Sequence, residues 1–286
     1  MSIAISEALR EGGRTLLDAG VPEGRKEAAS LLENVLGRDR TFLITRAETF
    51  LSKEQLECFL EFVSRRAAGE PLQYITGFQD FFGRTFKVTP DVLIPRPETE
   101  LLVEAALRLM KETDHEPSMC DVGTGSGCIA ISLACEFQTL QGVGLDISSR
   151  ALDVARQNAK RHGVDQRINF EVSDCFESLD PQHRFDLIVS NPPYVSADAL
   201  SGLQREVREH EPFLALSPGD DGLLVIKKLL TEAANFLKER GNMLIEIGFD
   251  QSEAVSRLLD RKVWRLLEIL PDLQGIPRIV SVQRVQ

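Results

Sequence analysis

The chain carries one tetrapeptide whose residue types suit the gripping of a planar amino group, Asn191-Pro192-Pro193-Tyr194. It follows an apolar run, Phe185 to Ser190, that reads as a buried strand, so it stands where a sheet ends. Two prolines cannot continue a sheet ladder and fix the local backbone, which holds the Asn191 side chain and nearby carbonyls rigidly. Tyr194 adds a flat apolar face with a polar tip. Acceptors for two N–H hydrogens beneath a covering ring are what methylation of an amide or an exocyclic amine needs. Taken alone, the tetrapeptide reads equally as an Asn-Pro loop start after a strand.

A second constellation lies upstream. Ser118 to Val122 reads as a short strand, Gly123-Thr124-Gly125-Ser126-Gly127 as a glycine turn, and the run from Cys128 as a helix. The glycines permit a tight turn and close approach of a ligand, while the helix start offers unpaired N–H groups to an anionic group such as a carboxylate. A dinucleotide fingerprint places its third glycine one residue later, where Cys128 stands, so the spacing suits a ligand without a pyrophosphate. About twenty residues on, a strand ends in Asp146, where an acidic residue binds ribose hydroxyls and repels a 2'-phosphate. A further strand, Ile168 to Val172, leads to Asp174 and Cys175, placing them beside an adenine at the same edge. An isolated Asp at a strand end is usually a cap. Four strand ends in order, carrying the glycine turn, Asp146, Asp174 and the Asn-Pro-Pro-Tyr, form a ligand site at a sheet edge.

With these motifs the chain resembles the class I S-adenosylmethionine-dependent methyltransferases, and within them the protein glutamine methyltransferases that modify peptide chain release factors. Pro71-Leu-Gln-Tyr-Ile-Thr-Gly77, Phe82-Gly83 and Val92-Leu-Ile-Pro-Arg-Pro-Glu-Thr-Glu100 are similar to that family's run before the catalytic domain. Glu211-Pro212, Asp221-Gly222, Glu246-Ile-Gly248 and Asp272 to Arg278 are similar to its later blocks. The resemblance implies an α/β fold, a doubly wound seven-stranded Rossmann-like domain with an inserted last strand, preceded by a small helical bundle and a β-hairpin linker. It implies S-adenosyl-L-methionine bound by Gly123, Thr124, Gly125, Ser126, Gly127, Asp146, Asp174, Cys175 and Asn191. It also implies a substrate glutamine held by Asn191, Pro192, Pro193 and Tyr194, with Asn191, Pro192 and Tyr194 carrying the catalysis. The target would be the glutamine of the Gly-Gly-Gln motif in class I release factors, methylated on N5. At Cys175 relatives often carry a tryptophan that packs on the adenine; a cysteine keeps backbone contact but cannot stack. Arg96 and Glu98 would lie near cofactor or substrate by analogy, or else form a loop salt bridge and a helix N-terminal acid.

The elements that position these groups follow from pattern. Helical spacing of apolar residues over Ile3 to Leu17, Glu23 to Leu36 and Ser52 to Arg66, with Ser52 and Gln55 as a capping box, predicts a helical bundle. Residues 1–73 are expected to form a substrate-recognition domain, 74–90 a hairpin linker and 91–286 the methyltransferase domain. Pro95-Arg96-Pro97 breaks the chain before a helix from Glu98 through Leu109. Strand and helix then alternate, which predicts a mostly parallel sheet covered on both faces and by itself allows other doubly wound folds. An irregular charged run is expected from Tyr194 to Gly222, then a helix Leu223 to Arg240, a strand Met243 to Ile247, a helix Gln251 to Leu259, and two antiparallel strands, Trp264 to Leu270 and Arg278 to Arg284.

Composition narrows the function. The net charge of -11 opposes non-specific binding to nucleic acid, whose affinity comes from Lys and Arg on phosphates, so no stable nucleic-acid partner is expected. The rival activity is nonetheless methylation of an exocyclic amine of adenine or guanine, because the tetrapeptide serves any flat NH2. A binding module that holds a nucleotide without chemistry is a third reading. No signal core or membrane-spanning apolar run is visible, so a cytoplasmic protein without a membrane partner is expected. Five cysteines without a close pair read as reduced thiols rather than a metal site, and no metal is expected. His115, His162, His183 and His210 lie in no motif and are expected at the surface. Arg156 to Arg161 and Lys227-Lys228 read as solvated helix faces.

Overall fold

The structure is a computed structural model that describes residues 3–111, 116–217, 219 and 221–285. His115 lies outside the described residues. Backbone contacts divide the chain into two compact units, Met1–Phe78 with Gln204–His210, and Gln79–Leu203 with Glu211–Gln286.

In the first unit the helices Ile5–Asp18, Gly24–Leu36 and Lys53–Ala67 bury Leu16, Leu31, Leu32 and Phe59. Gly12 makes their close approach possible, because a Cβ there would stand 2.6 Å from Cζ of Phe59. The capping box forms as expected: the Ser52 hydroxyl accepts from Gln55 N and the Gln55 side chain accepts from Ser52 N at 2.9 Å. Two short helices escaped the periodicity, Arg40–Thr45 and Leu72–Thr76; the first is capped by Asp39, which accepts from Phe42 N at 2.8 Å. Arg66, 3% exposed, pairs with Glu27 and with Glu206 on the helix Arg205–His210.

A hairpin, β1 (Phe78–Phe81) and β2 (Arg84–Lys87), turns through Phe82 and Gly83, both at positive φ. This is the two-residue turn whose twist matches paired strands. The strands β3 (Ser118–Val122), β4 (Gln141–Asp146), β5 (Ile168–Val172), β6 (Phe185–Ser190), β7 (Leu237–Glu246), β8 (Trp264–Pro271) and β9 (Pro277–Arg284) form one sheet in the order β5-β4-β3-β6-β7-β9-β8. The neighbours from β5 to β7 run parallel, and β9 inserts antiparallel between β7 and β8. Successive residues feed opposite faces, as pleating requires: Met119, Leu187 and Leu244 enter one core, and Cys120, Ile188 and Met243 the other. The strand order reverses between β3 and β6, so the carboxyl ends of these two strands flank the switch point at which open α/β sheets bind ligands.

Two expectations fail. The helix foreseen from Leu223 to Arg240 ends early: it spans Leu224–Glu232, continues as a 3-10 turn Ala233–Phe236, and gives way to β7 at Leu237. Leu237 pairs with Phe185, Lys238 meets Asp186 at 2.8 Å, and Arg240 at positive φ absorbs a register shift before Asn242. Tertiary pairing has overridden the helix propensity of Leu-Lys-Glu-Arg. The run after Tyr194 is not irregular either, and forms short helices Ala197–Leu200, Arg205–His210 and Phe213–Leu216. Among the described residues no helix is long and apolar enough to cross a membrane.

Candidate active site

The glycine turn connects β3 to the helix Cys128–Glu136, with Gly123, Gly125 and Gly127 all at positive φ. Gly123 N and Thr124 N both donate to Leu145 O, at 2.8 and 2.9 Å, which ties the turn to the end of β4. Asp146 follows directly: one carboxylate oxygen accepts from Gly125 N and the other from Ser148 N, each at 2.9 Å. Burial raises the Asp146 pKa and these backbone donors oppose the rise. Thr124 Oγ1 donates to Asp121 at 2.7 Å, and burial pushes that carboxyl up to about 7. The Ser126 carbonyl accepts from Asn158 at 2.9 Å, while its hydroxyl is buried without a hydrogen-bond partner. A Cβ on Gly125 would meet nothing within 4 Å, so the crest of the turn is open to a ligand. A small molecule with a carboxylate and a ribose fits this donor set, which offers backbone N–H groups at a helix start and a fixed acidic side chain one strand away.

At the end of β5, Asp174 meets Lys228 at 3.0 Å, and Lys228 also meets Glu177 at 2.9 Å. Lys228 is therefore an ion-pair partner and not a freely solvated charge. Cys175 takes a left-handed φ of 51°, which few non-glycine residues adopt, and its thiol, pushed up to about 12 by burial, points into the apolar cluster around Phe176.

The Asn-Pro-Pro-Tyr leaves β6 beside the glycine turn. Ser190 Oγ donates to Val122 O at 2.7 Å, and a Cβ on Gly123 would lie 3.9 Å from Asn191 O. Asn191 Nδ2 donates to Thr99 Oγ1 at 3.0 Å; Thr99 is buried in the 3-10 turn Pro97–Thr99 ahead of the helix Glu100–Met110. That bond turns the amide so that Oδ1 is its free end, and among the described residues none donates to it. The Tyr194 hydroxyl donates to Glu246 at 3.2 Å, and burial and then the Glu246 charge raise the tyrosine pKa. Glu246 is itself buried, and burial pushes it up to about 7 against the opposing effect of the Thr99 and Tyr194 hydroxyls; its Oε2 has no hydrogen-bond partner among the described residues. Gln251 completes the frame: its amide donates to Tyr194 O at 3.1 Å and Gly222 O at 3.4 Å, and accepts from Gly248 N at 2.9 Å. Gly222 cannot carry a side chain, since a Cβ would stand 2.3 Å from Tyr194 O.

The structure thus brings Gly123 to Gly127, Asp146 and Asn191 to Tyr194 to adjoining strand ends, with Asp174 and Cys175 after β5. Thr99 and Gln251 escaped the sequence reading, although both lie within or next to segments singled out there. Arg96 forms the loop salt bridge, to the buried Glu211, and Glu98 is an exposed acid in the first turn of its helix. Among the histidines His183 is exposed, but His162 and His210 are half-buried; His162 contacts Thr85 O at 3.1 Å and lies on Phe86.

A seven-stranded sheet with an antiparallel inserted strand, a glycine turn after its first strand and an acidic residue ending the next define a class I methyltransferase. Residues 114–261 match a methyltransferase domain, and residues 7–77 match the PrmC N-terminal domain. The chain is 41% identical over 97% of its length to the release factor glutamine methyltransferase of Koribacter versatilis, spanning 98% of that protein. It is 42% identical to the protein of the same name from Geobacter sulfurreducens, covering 93% of this chain and 92% of the relative. A methyltransferase structure from Pyrococcus furiosus shares the fold at a TM-score of 0.53 and 15% identity, over 78% of this chain and 98% of that one. The chain belongs to the release factor glutamine methyltransferase family.

Proposed function

We propose that this chain transfers a methyl group from S-adenosyl-L-methionine to the N5 side-chain amide nitrogen of the glutamine in the Gly-Gly-Gln motif of class I peptide chain release factors. The observation that carries the reading is the Asn191 amide, anchored through Nδ2 to Thr99 so that Oδ1 is free to accept from a substrate NH2. The relatives' names support the substrate.

An amide nitrogen is a weak nucleophile because its lone pair is delocalised into the carbonyl. Asn191 Oδ1 and the Pro192 carbonyl accept its two hydrogens, which turns the π face of the nitrogen toward the methyl donor and stabilises the positive charge that develops. Pro193 keeps the backbone from rearranging, and the Tyr194 ring covers the amide. When bound, the cofactor supplies a methyl on a sulfonium, and the C–S electron pair leaves with sulfur as the nitrogen pair forms the N–C bond. The nitrogen then loses one of its original protons to solvent, so no strong base is needed beforehand. Fixed positioning contributes on the order of several kcal/mol. Gly123 to Gly127 receive the carboxylate end, Asp146 the ribose, and Asp174 with the Cys175 backbone the adenine; Asn191 joins both sites. The exposed Ile147, Phe249 and Leu273 lie after β4, after β7 and in the β8–β9 turn, at the same carboxyl edge, and offer apolar contact to a protein loop. The first unit serves as the recognition domain for that protein.

The test is transfer of labelled methyl to a purified release factor, to the same factor with its Gly-Gly-Gln glutamine replaced, and to total RNA plus DNA. Label on the intact factor alone is expected. Label on nucleic acid and not on the factor would overturn the reading.

A further inference from the structure

Asn158 is 0% exposed, stands near the end of the helix Ser149–Arg161, and joins two segments far from it in sequence. Its Oδ1 accepts from Lys87 N at 2.7 Å, and its Nδ2 donates to Lys87 O at 3.0 Å and to Ser126 O at 2.9 Å. The first two bonds pair the amide with the backbone of the last residue of β2, as a neighbouring strand would. The third reaches the glycine turn. One partner is a donor and two are carbonyls, so neither a flipped amide nor a carboxylate matches them.

The Ser126 carbonyl is one side of a peptide group whose other side, Gly127 N, donates to Thr124 O at 2.8 Å. Held at both ends, that peptide keeps Gly127 at a φ of 79° and sets the path of the chain from the crest of the turn into the helix Cys128–Glu136. There is little slack around it: a Cβ on Gly127 would lie 2.8 Å from Ile131 Cδ1 and 3.2 Å from Ala155 Cβ, and Ala155 shares a helix face with Asn158. The seat of the hairpin is wider than one residue. Lys87 Nζ donates to Gln157 Oε1 at 2.7 Å, His162 Nε2 contacts Thr85 O at 3.1 Å, and the Phe86 ring lies 4.9 Å from the His162 ring. Asn158 and all of these partners belong to the second unit.

We propose that Asn158 is a positioning residue for the cofactor: its amide holds the glycine turn and the hairpin in one frame, so that the affinity for S-adenosyl-L-methionine depends on how β2 is seated. The turn presents its backbone N–H groups at fixed positions only while the Ser126–Gly127 peptide keeps its plane. A shift of β2 moves the Asn158 amide, and the amide moves the Ser126 carbonyl. Asn158 acts on the cofactor through that peptide, so loss of the link weakens cofactor binding rather than the rate of transfer from the bound state.

The inference deepens the proposed function and rests on the glycine turn as the cofactor's site; Asp146→Ala keeps the two distinguishable. Calorimetry with S-adenosyl-L-methionine, steady-state methylation of a release factor and thermal unfolding are compared for wild type, Asn158→Asp, Asn158→Ala, Lys87→Pro, Lys87→Ala and Asp146→Ala. Asn158→Asp sets an oxygen against two carbonyls, Asn158→Ala removes all three bonds, and Lys87→Pro removes the N–H from which Asn158 accepts. These three are expected to weaken cofactor affinity, and to raise KM for the cofactor, by about tenfold, with kcat at saturating cofactor and KM for the factor within about threefold. Lys87→Ala keeps the backbone pair and is expected to bind as wild type does. A variant that fails to fold, judged by thermal unfolding, is set aside and the others carry the test. Wild-type affinity in every folded Asn158 variant would overturn the positioning role, as would a fall in kcat without a loss of affinity. Wild-type affinity in Lys87→Pro beside weakened Asn158 variants would overturn the coupling to the hairpin. Wild-type affinity in Asp146→Ala would overturn the placement of the cofactor at the turn, on which the coupling rests.

Discussion

At the scale of single residues the site depends on which atoms are left free. If Asn191 Oδ1 is one of the two acceptors for the substrate NH2, as proposed, Asn191→Ala is expected to lower kcat by about a hundredfold or more, as loss of one fixed transition-state acceptor does, with cofactor affinity nearly preserved. Single-turnover methylation beside a cofactor titration checks this, and a parallel fall in cofactor affinity would mean that Asn191 acts mainly in cofactor binding. Glu246 carries a stability consequence of its own. Its pKa rises on folding from an ordinary 4.5 to about 7, with burial the main cause. The folded state therefore binds a proton more tightly than the unfolded state, and this carboxyl's contribution to stability falls as pH rises through that window. At about 1.4 kcal/mol per unit the change is roughly 3 kcal/mol. The wild type is expected to lose that much relative to Glu246→Gln between pH 4.5 and pH 8, read by urea denaturation of both proteins. A constant difference across the range would mean that the carboxyl stays charged throughout.

At the scale of elements, the frame around the tetrapeptide is a clamp made by chain segments far apart in sequence. Gly222, at a φ of 68°, stands where an added Cβ would lie 2.3 Å from the Tyr194 carbonyl oxygen, and Gln251 ties the two together. Gly222→Ala puts a methyl where there is 2.3 Å of room and strains a left-handed φ, so a loss of about 1–3 kcal/mol and a lower kcat are expected. Thermal unfolding and methylation of the same variant check it; an unchanged melting temperature would show that the loop yields without strain. This clamp also shows what the sequence could and could not disclose. The ends of β3, β4, β5 and β6 were legible because each is a short apolar run stopped by glycine, aspartate or proline, a local signal. Thr99 and Gln251 were not, since each gains its role from a partner 92 or 57 residues away. The helix expected through Arg240 failed for the same reason: Leu237 is claimed by Phe185 across the sheet, which no window on the sequence contains.

At the scale of the whole molecule, the chain passes between its two units at more than one point, because Gln204–His210 belongs by its contacts with the N-terminal helices and yet follows the Asn-Pro-Pro-Tyr in sequence. The segment that leaves the Asn-Pro-Pro-Tyr thus includes residues of the unit proposed to recognise the release factor before it reaches Gly222. Arg66 secures that visit, buried with Glu27 from the second helix on one side and Glu206 from the inserted helix on the other. Hydrogen bonds donated by Arg66 to both carboxylates hold its charge against the cost of burial. Arg66→Met removes the cation and leaves two carboxylates facing each other; a fully buried pair broken in this way costs about 3–5 kcal/mol, and Glu206 is partly exposed, so the lower end applies. Hydrogen exchange over residues 24–36 and 205–210 is expected to quicken in that variant while exchange in β3 to β7 stays as it was. If the first unit and its inserted helix recognise the protein substrate, KM for an intact release factor is expected to rise by about tenfold, and methylation of a short Gly-Gly-Gln peptide to stay unchanged. Equal losses on factor and peptide would instead mean that Arg66 supports the catalytic loop, and that recognition resides elsewhere.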